Sequence, residues 1–286
     1  MGRGDCCRYL IVLSSLGVIG LGRMAQALVF PLIEKQKITP ERIFAVVGRQ
    51  KSVNSLRPSL PKGLTLFSSE DQASVGVWHQ PIQLLAVKPQ QLEQVAIKAK
   101  DLELSYKVAR PLLISLLAGV SLKRLQSLFP NHNCVRVVAN TPALVGAGLT
   151  GISWGDGINQ NEKKHVKDLF VVVSEVLELP ESNLDAFLAL TSSGPAYVAL
   201  MVEALADGAV AAGLSRDLSL HLASRTLGGT ALLLKEKNIH PSELKDMVAS
   251  PGGTTIAALR HLEKAGFRSA LIEAVVLAAE RSRELA

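Results

Sequence analysis

Leu16-Gly17-Val18-Ile19-Gly20-Leu21-Gly22-Arg23-Met24-Ala25-Gln26-Ala27-Leu28 decides how the first half of this chain folds. Small and apolar residues lead into GxGxxA at Gly20, Gly22 and Ala25, and an alanine-rich segment follows. The pattern predicts a short buried strand turning sharply into a helix. Gly20 suits the tight turn, Gly22 lets a pyrophosphate approach the backbone, and Ala25 lets helix pack closely on strand. The uncommitted N–H groups of the first helical turn then favour an anion.

The context supports that reading. Strand-like runs recur at 42–47, 64–67, 83–87, 112–116 and 135–139, mostly separated by segments able to form helices. Such alternation predicts an α/β fold with a doubly wound parallel sheet. Ligands of that fold lie outside the carboxyl ends of the strands, so the residues after each strand are the informative ones. Counting the strand at Leu16 as the first, after the second comes Gly48-Arg49-Gln50-Lys51, with no Asp or Glu to bind a ribose hydroxyl pair. Arg49 reads either as a partner for a ribose phosphate, which predicts NADPH preferred with NADH possible, or as a solvated turn residue. After the fourth lies Ala86-Val87-Lys88-Pro89, where Lys88 stands beside the cofactor or is an exposed helix-start lysine. Ala118 and Gly119 permit close ligand approach after the fifth, and Asn140 offers an amide after the sixth.

Beyond about residue 180 strand signals stop. The run 195–212 is apolar on all sides and predicts a buried helix covered by several neighbours, some from another chain. Further helices are expected over 214–235, 240–248, 254–263 and 267–286. Glu203 and Asp207, one helical turn apart, read as helical packing with ordinary polar satisfaction in preference to an acid–base pair. Two clusters sit at helix starts. Thr191-Ser192-Ser193-Gly194-Pro195 combines hydroxyls and glycine, read as simple capping or as a ligand site. Ser250-Pro251-Gly252-Gly253-Thr254-Thr255 has the makings of an anion cradle: proline sets φ, glycines let a ligand approach, and a new helix begins. A carboxylate is the natural guest.

Composition narrows the classes. At 286 residues the chain has room for two domains, and the net charge of +6 is modest and scattered, with no basic run interleaved with aromatics. Nucleic acid is not expected as a partner. Three cysteines and six histidines show no metal-ligand spacing, so no metal is expected, and a reducing, cytoplasmic setting fits. No membrane partner is expected either, since no run approaches the ~20 apolar residues of a spanning helix. Arg3 and Arg8 ahead of 9–13 have the outline of a secretory signal, but cleavage there would fall beside the glycine motif. Residues 1–14 therefore read as an extension of uncertain role, 15–179 as the nucleotide-binding domain and 180–286 as the helical domain.

Five motifs together resemble the pyrroline-5-carboxylate reductase family: Gly17 to Ala25, Ala86 to Gln90, Arg136 to Ala143, Ser193 to Tyr197, and Asp246-Met247-Val248-Ala249-Ser250-Pro251-Gly252-Gly253-Thr254-Thr255-Ile256. The resemblance covers nearly everything from Leu16 onward. It implies an N-terminal Rossmann domain followed by an all-helical dimerisation domain, with the active site between them and completed at the dimer interface. It also implies an oxidoreductase that reduces the C=N bond of a small-molecule substrate, 1-pyrroline-5-carboxylate, to L-proline in proline biosynthesis. By the same resemblance Ile19, Gly20, Leu21, Gly22, Arg23 and Met24, with Ala86, Val87, Lys88 and Pro89, hold NAD(P)H. Gly253, Thr254 and Thr255, in the turn with Ser250 and Gly252, hold the substrate carboxylate, with the Thr255 hydroxyl near the ring nitrogen. The expected assembly is a homodimer or a larger homo-oligomer built from dimers.

Hydride transfer of this kind needs alignment more than acid–base power, and the catalytic candidate is Thr255, orienting the imine nitrogen as a hydrogen-bond partner. Two rivals share the first half: a β-hydroxyacid-type dehydrogenase, which usually carries a catalytic lysine on the first long helix of its helical domain, and a nonenzymatic NADP-binding sensor. Residues 195–212 contain no lysine.

Overall fold

The computed structural model describes residues 15–101 and 110–284 and divides into two compact units, of which Ser193–Ala278 is one. The expected extension over 1–14 lies outside the described residues. In the first unit β1 (Leu16–Ile19), α1 (Arg23–Glu34), β2 (Ile43–Val47), α2 (Gln50–Leu56), β3 (Thr65–Ser68), α3 (Val75–Trp78) and β4 (Ile82–Leu85) follow in order. They continue as α4 (Leu92–Asp101), β5 (Leu112–Ser115), α5 (Leu122–Leu128), β6 (Asn133–Ala139), β7 (Gly148–Trp154), α6 (Gln160–Phe170), β8 (Ser174–Glu178) and α7 (Leu184–Thr191).

All strands join one eight-stranded sheet in the order β3-β2-β1-β4-β5-β6-β7-β8. The first six are parallel and reverse direction of winding between β1 and β4, the switch point of a doubly wound fold. The expectation of a parallel sheet needs correction at its far side. There β7 runs antiparallel to β6, and β8 returns parallel to β7. Neither strand is legible in the sequence. In β7 glycines interrupt the apolar run, and one of them, Gly151, lies close under α7: a Cβ there would stand 3.0 Å from the Phe187 ring, which would have to give way.

Side chains alternate across the sheet as strand geometry requires. Leu16 and Val18 pack with α1 and α6 on one face, while Ile19, Leu85 and Leu113 pack with α3, α4 and α5 on the other. Each fully buried Leu or Val in these layers stabilises the unit by ~1.5–3 kcal/mol before the cost of ordering it.

The second unit is helical. It holds α8 (Gly194–Ala211), α9 (Arg216–Lys237), α10 (Pro241–Met247), α11 (Thr254–Lys264) and most of α12 (Phe267–Glu284). Helix α9 stops where Asn238 turns left-handed at φ 49°. Tyr197 on α8 donates from its hydroxyl to the Ala274 carbonyl of α12 at 3.2 Å.

The expected buried helix at 195–212 is not buried within one chain. Ala206 is the buried residue of α8, whereas Leu200 is 66% and Leu205 51% exposed. Its apolar faces outnumber what the neighbouring helices of the same chain cover. By length and composition, 181–211 is apolar enough to cross a membrane, although most of it is exposed within the chain. Asp207 finds its polar partner in Arg216, with which it forms an ion pair.

Candidate active site

The nucleotide half of the site is built by hydrogen bonds that carry the sheet ladder past the strand ends. The Gly20 amide donates to the Val46 carbonyl of β2 at 2.9 Å, the Ala86 amide to Ile19 at 2.8 Å, and the Leu116 amide to Leu85 at 2.9 Å. These bonds set the loops after β1, β4 and β5 side by side. Gly20 has φ +93°, and a Cβ on it would lie 2.7 Å from the Ala86 carbonyl oxygen, so both backbone conformation and space demand glycine. Gly22 caps α1 with no side-chain hydrogen bond, and a Cβ added there would meet nothing within 4 Å. Open space in front of uncapped amides is what an incoming phosphate needs. Ala25 is fully buried behind the turn, which brings α1 close to the sheet.

Around this loop the other expected residues take distinct positions. Leu21 is buried and Arg23 exposed, with Met24 between these extremes. Arg49 is the exposed, extended residue that caps α2 immediately beyond β2, and its guanidinium makes no hydrogen bond or ion pair among the described residues. Its neighbour Gly48 accepts a hydrogen bond from the Ser69 hydroxyl, which ties the loops after β2 and β3 together. Lys88 is exposed in extended backbone before a 3-10 turn at Pro89–Gln91, and the Gln91 side chain accepts from its amide at 3.3 Å. Ala118 is exposed and Gly119 turns the chain at φ +71°.

Asn140 needs a correction of role. It was expected to offer its amide to the crevice; instead Nδ2 donates to the Thr191 carbonyl at 3.0 Å and Oδ1 accepts from the Leu149 amide at 2.8 Å. The residue is buried and fastens β6 to β7 and α7. The hydroxyls after it are engaged in the same manner. Thr191 donates to the Phe187 carbonyl at 2.7 Å and Ser192 to the Ala139 carbonyl at 3.2 Å.

In the helical unit Ser250 to Thr255 forms a tight turn that opens α11. The Gly253 amide donates to the Ser250 carbonyl at 3.0 Å, Gly252 takes φ +70°, and Gly253 caps α11 with no side-chain hydrogen bond. A Cβ at 253 would stand 2.3 Å from the Ser250 hydroxyl oxygen and 3.2 Å from its carbonyl oxygen, so a side chain there requires the Ser250 hydroxyl to turn away. Thr254 is exposed, and the half-buried Thr255 hydroxyl makes no hydrogen bond with a described residue. The first amides of α11 thus have no side-chain cap, and such a helix start favours an anion.

Sequence reading passed over Arg136 as anything more than part of a motif. Its side chain, only 4% exposed, reaches Glu181 through Nη1 at 3.2 Å and Asp185 through Nη2 at 3.0 Å. An arginine inside an otherwise apolar strand was the signal that could have flagged it.

Residues 181–285 match the family model for pyrroline-5-carboxylate reductase dimerisation, and 15–119 match that for NADP oxidoreductase, coenzyme F420-dependent. The chain is 46% identical over 271 residues to the pyrroline-5-carboxylate reductase of Synechocystis sp., covering 94% of this chain and 97% of the relative. It is 41% identical to the enzyme of that name from Glycine max, covering 95% and 96%. The crystal structure of Plasmodium falciparum pyrroline carboxylate reductase with NADP bound superposes with a TM-score of 0.84 at 31% identity, covering 96% of this chain and 99% of that one. A shared fold, full-length similarity and matched regions in both halves leave one assignment: the chain belongs to the pyrroline-5-carboxylate reductase family.

Proposed function

We propose that this protein reduces 1-pyrroline-5-carboxylate to L-proline with NADPH as the preferred donor and NADH accepted less well. The observation that carries the reading is the pairing, within one chain, of an uncapped glycine loop at a sheet switch point with an uncapped Pro-Gly-Gly-Thr-Thr turn. The first fits a pyrophosphate, since Gly22 fronts open space and Gly20 admits no side chain. When bound, the dinucleotide supplies the hydride that goes to the imine carbon.

The chain's own residues do the rest by holding and orienting. Backbone amides from Gly20 to Met24 hold the diphosphate, and the loop Ala86 to Pro89, together with Ala118 and Gly119, flanks it. Arg49 takes the ribose phosphate, its unengaged guanidinium supporting that assignment. In place of a direct cofactor contact, Asn140 holds the adjoining backbone. The turn from Ser250 through Gly252 and Gly253 to Thr254 and Thr255 binds the substrate carboxylate through the first amides of α11. Thr255 is the catalytic residue of this reading: its hydroxyl orients the ring nitrogen and keeps the imine in its protonated, hydride-accepting form. Alignment of this kind lowers a barrier by several kcal/mol, up to ~7–11 in well-oriented systems.

The exposed apolar residues of α8 support a homodimer, or a larger assembly of dimers, in which a second copy covers them. The free, buried Cys134 suits a reducing compartment, for which the cytoplasm is our assignment.

Following loss of reduced-nicotinamide absorbance with 1-pyrroline-5-carboxylate tests the proposal. Turnover with proline as product is expected. Turnover only with a hydroxyacid would favour the dehydrogenase reading, and NADPH binding without turnover the sensor.

A further inference from the structure

Helix α7 is fastened at both of its ends to β6 and the extended residue that follows it, through Arg136 and Asn140, four apart and therefore directed to one face. At the start of α7, the buried Arg136 guanidinium bridges Glu181 and Asp185. Glu181 Oε1 also accepts the Leu122 amide at 2.6 Å, and Asp185 Oδ1 also accepts the Ser282 hydroxyl at 2.8 Å. Both acidic groups are thus loaded by two donors each. At the end of α7, Asn140 Nδ2 bonds the Thr191 carbonyl and the Ser192 hydroxyl bonds the Ala139 carbonyl.

The two spans are comparable. From 136 to 140 an extended chain advances ~13 Å at ~3.3 Å per residue. From Asp185 to Thr191, the anchored residues of α7, a helix rises ~9 Å at ~1.5 Å each, a difference within the reach of the Arg136 side chain. Lateral play is removed as well, because Phe187 and Leu184 lie directly on the bare backbone of Gly151 in β7. The helix therefore has one seat. Its carboxyl end lies beside the carboxyl end of β6, the edge at which a doubly wound sheet meets its ligand.

We infer that Arg136 is a positioning residue for hydride transfer: paired with Glu181 and Asp185, it registers α7 along β6 so that Thr191 and Ser192 form a fixed wall of the crevice at Ala139 and Asn140. The inference rests on the reductase reading above. Lysine cannot replace this group, because one ammonium does not span two carboxylates held on separate turns, whereas the guanidinium fork does. A slip of α7 would move the wall without removing any group that touches cofactor or substrate. The chemical step suffers from such a slip, since reacting atoms tolerate little displacement.

The test compares wild type, Arg136→Lys, Asp185→Asn and the double variant, all well below their melting temperatures. In Arg136→Lys, kcat is expected to fall about tenfold while the NADPH Kd from nicotinamide fluorescence and the KM for pyrroline-5-carboxylate stay within about twofold. Hydrogen exchange at the Ser192 amide, which bonds the Leu188 carbonyl, should quicken about tenfold in the same protein. Asp185→Asn keeps the shape and loses the charge; it should lose about threefold in kcat, and the double variant should be no slower than Arg136→Lys. A merely structural role would lower the melting temperature and leave kcat and Ser192 exchange of the folded protein unchanged, and that result overturns the inference. If Arg136→Lys does not fold, Asp185→Asn decides alone: undiminished kcat overturns the inference and a threefold loss supports it. Wild type that does not turn over pyrroline-5-carboxylate sinks the reductase reading instead, and the exchange at Ser192 still judges the clamp.

Discussion

Gly20 and Ala86 stand so close that a methyl group on Gly20 would lie 2.7 Å from the Ala86 carbonyl oxygen. The loop after β1 and the loop after β4 are therefore one surface, and the backbone that would meet a pyrophosphate is shaped by a strand more than sixty residues further along the chain. Gly20→Ala adds both this clash and a left-handed penalty of ~1–2 kcal/mol. NADPH binding, measured by fluorescence titration, should weaken at least tenfold while the circular dichroism of the folded protein is kept. Unchanged affinity would remove Gly20 from the cofactor site.

Arg49 stands at the N-cap position of α2, and its guanidinium has no partner among the described residues. A charge-assisted hydrogen bond to a ribose phosphate contributes ~1.5–3 kcal/mol, and an aspartate there adds repulsion. Arg49→Asp should accordingly shift the ratio of kcat/KM for NADPH over NADH by about a hundredfold toward NADH. A ratio that does not move would leave Arg49 as a solvated turn residue.

Thr255 is tested by what its loss spares. Removing one hydroxyl hydrogen bond costs ~1–2 kcal/mol, so Thr255→Ala should slow turnover about tenfold with the NADPH Kd unaltered. Lost NADPH affinity with intact turnover would contradict the assignment.

His132 sits in a buried aromatic nest, its ring 5.6 Å from Phe129 and 6.5 Å from Trp78, with Nε2 3.2 Å from the Gln83 amide oxygen. Burial lowers its pKa from the ordinary 6.5 to about 4. The folded pKa lies below the unfolded one, so the unfolded chain binds the extra proton first as pH falls. Stability is complete above about pH 6.5, declines between there and about pH 4, and changes no further below that through this group. The total loss is ~3 kcal/mol. Urea melts at pH 7 and pH 5 should show the decline in wild type and a shallower slope in His132→Gln; parallel slopes would mean that His132 does not titrate in the unfolded chain alone.

Leu200, 66% exposed on α8, belongs to the apolar surface assigned to a second copy. A glutamate at that position would bury a charge in the interface at a cost of several kcal/mol. Leu200→Glu should therefore shift the protein toward monomer in analytical ultracentrifugation. An unaltered mass would place Leu200 outside the interface.

Much of this protein was legible locally, and the reason is physical. Gly20 and Gly22 announce a strand-to-helix turn because φ above zero and close backbone approach are properties of the residue itself. Ser250 to Thr255 announces a helix start for the same reason, and the alternation of apolar runs through β6 follows from side-chain periodicity. What tertiary structure alone decided depends on partners far along the chain. Asn140 ties β6 to its neighbours because Leu149 and Thr191 come to it, and α7 settles on β7 because Phe187 and Leu184 meet the bare backbone of Gly151. Arg136 acquires its role from carboxylates 45 and 49 residues away. Whether an apolar helix such as α8 is covered within its own chain or by another is likewise a question of neighbours, which no local pattern encodes.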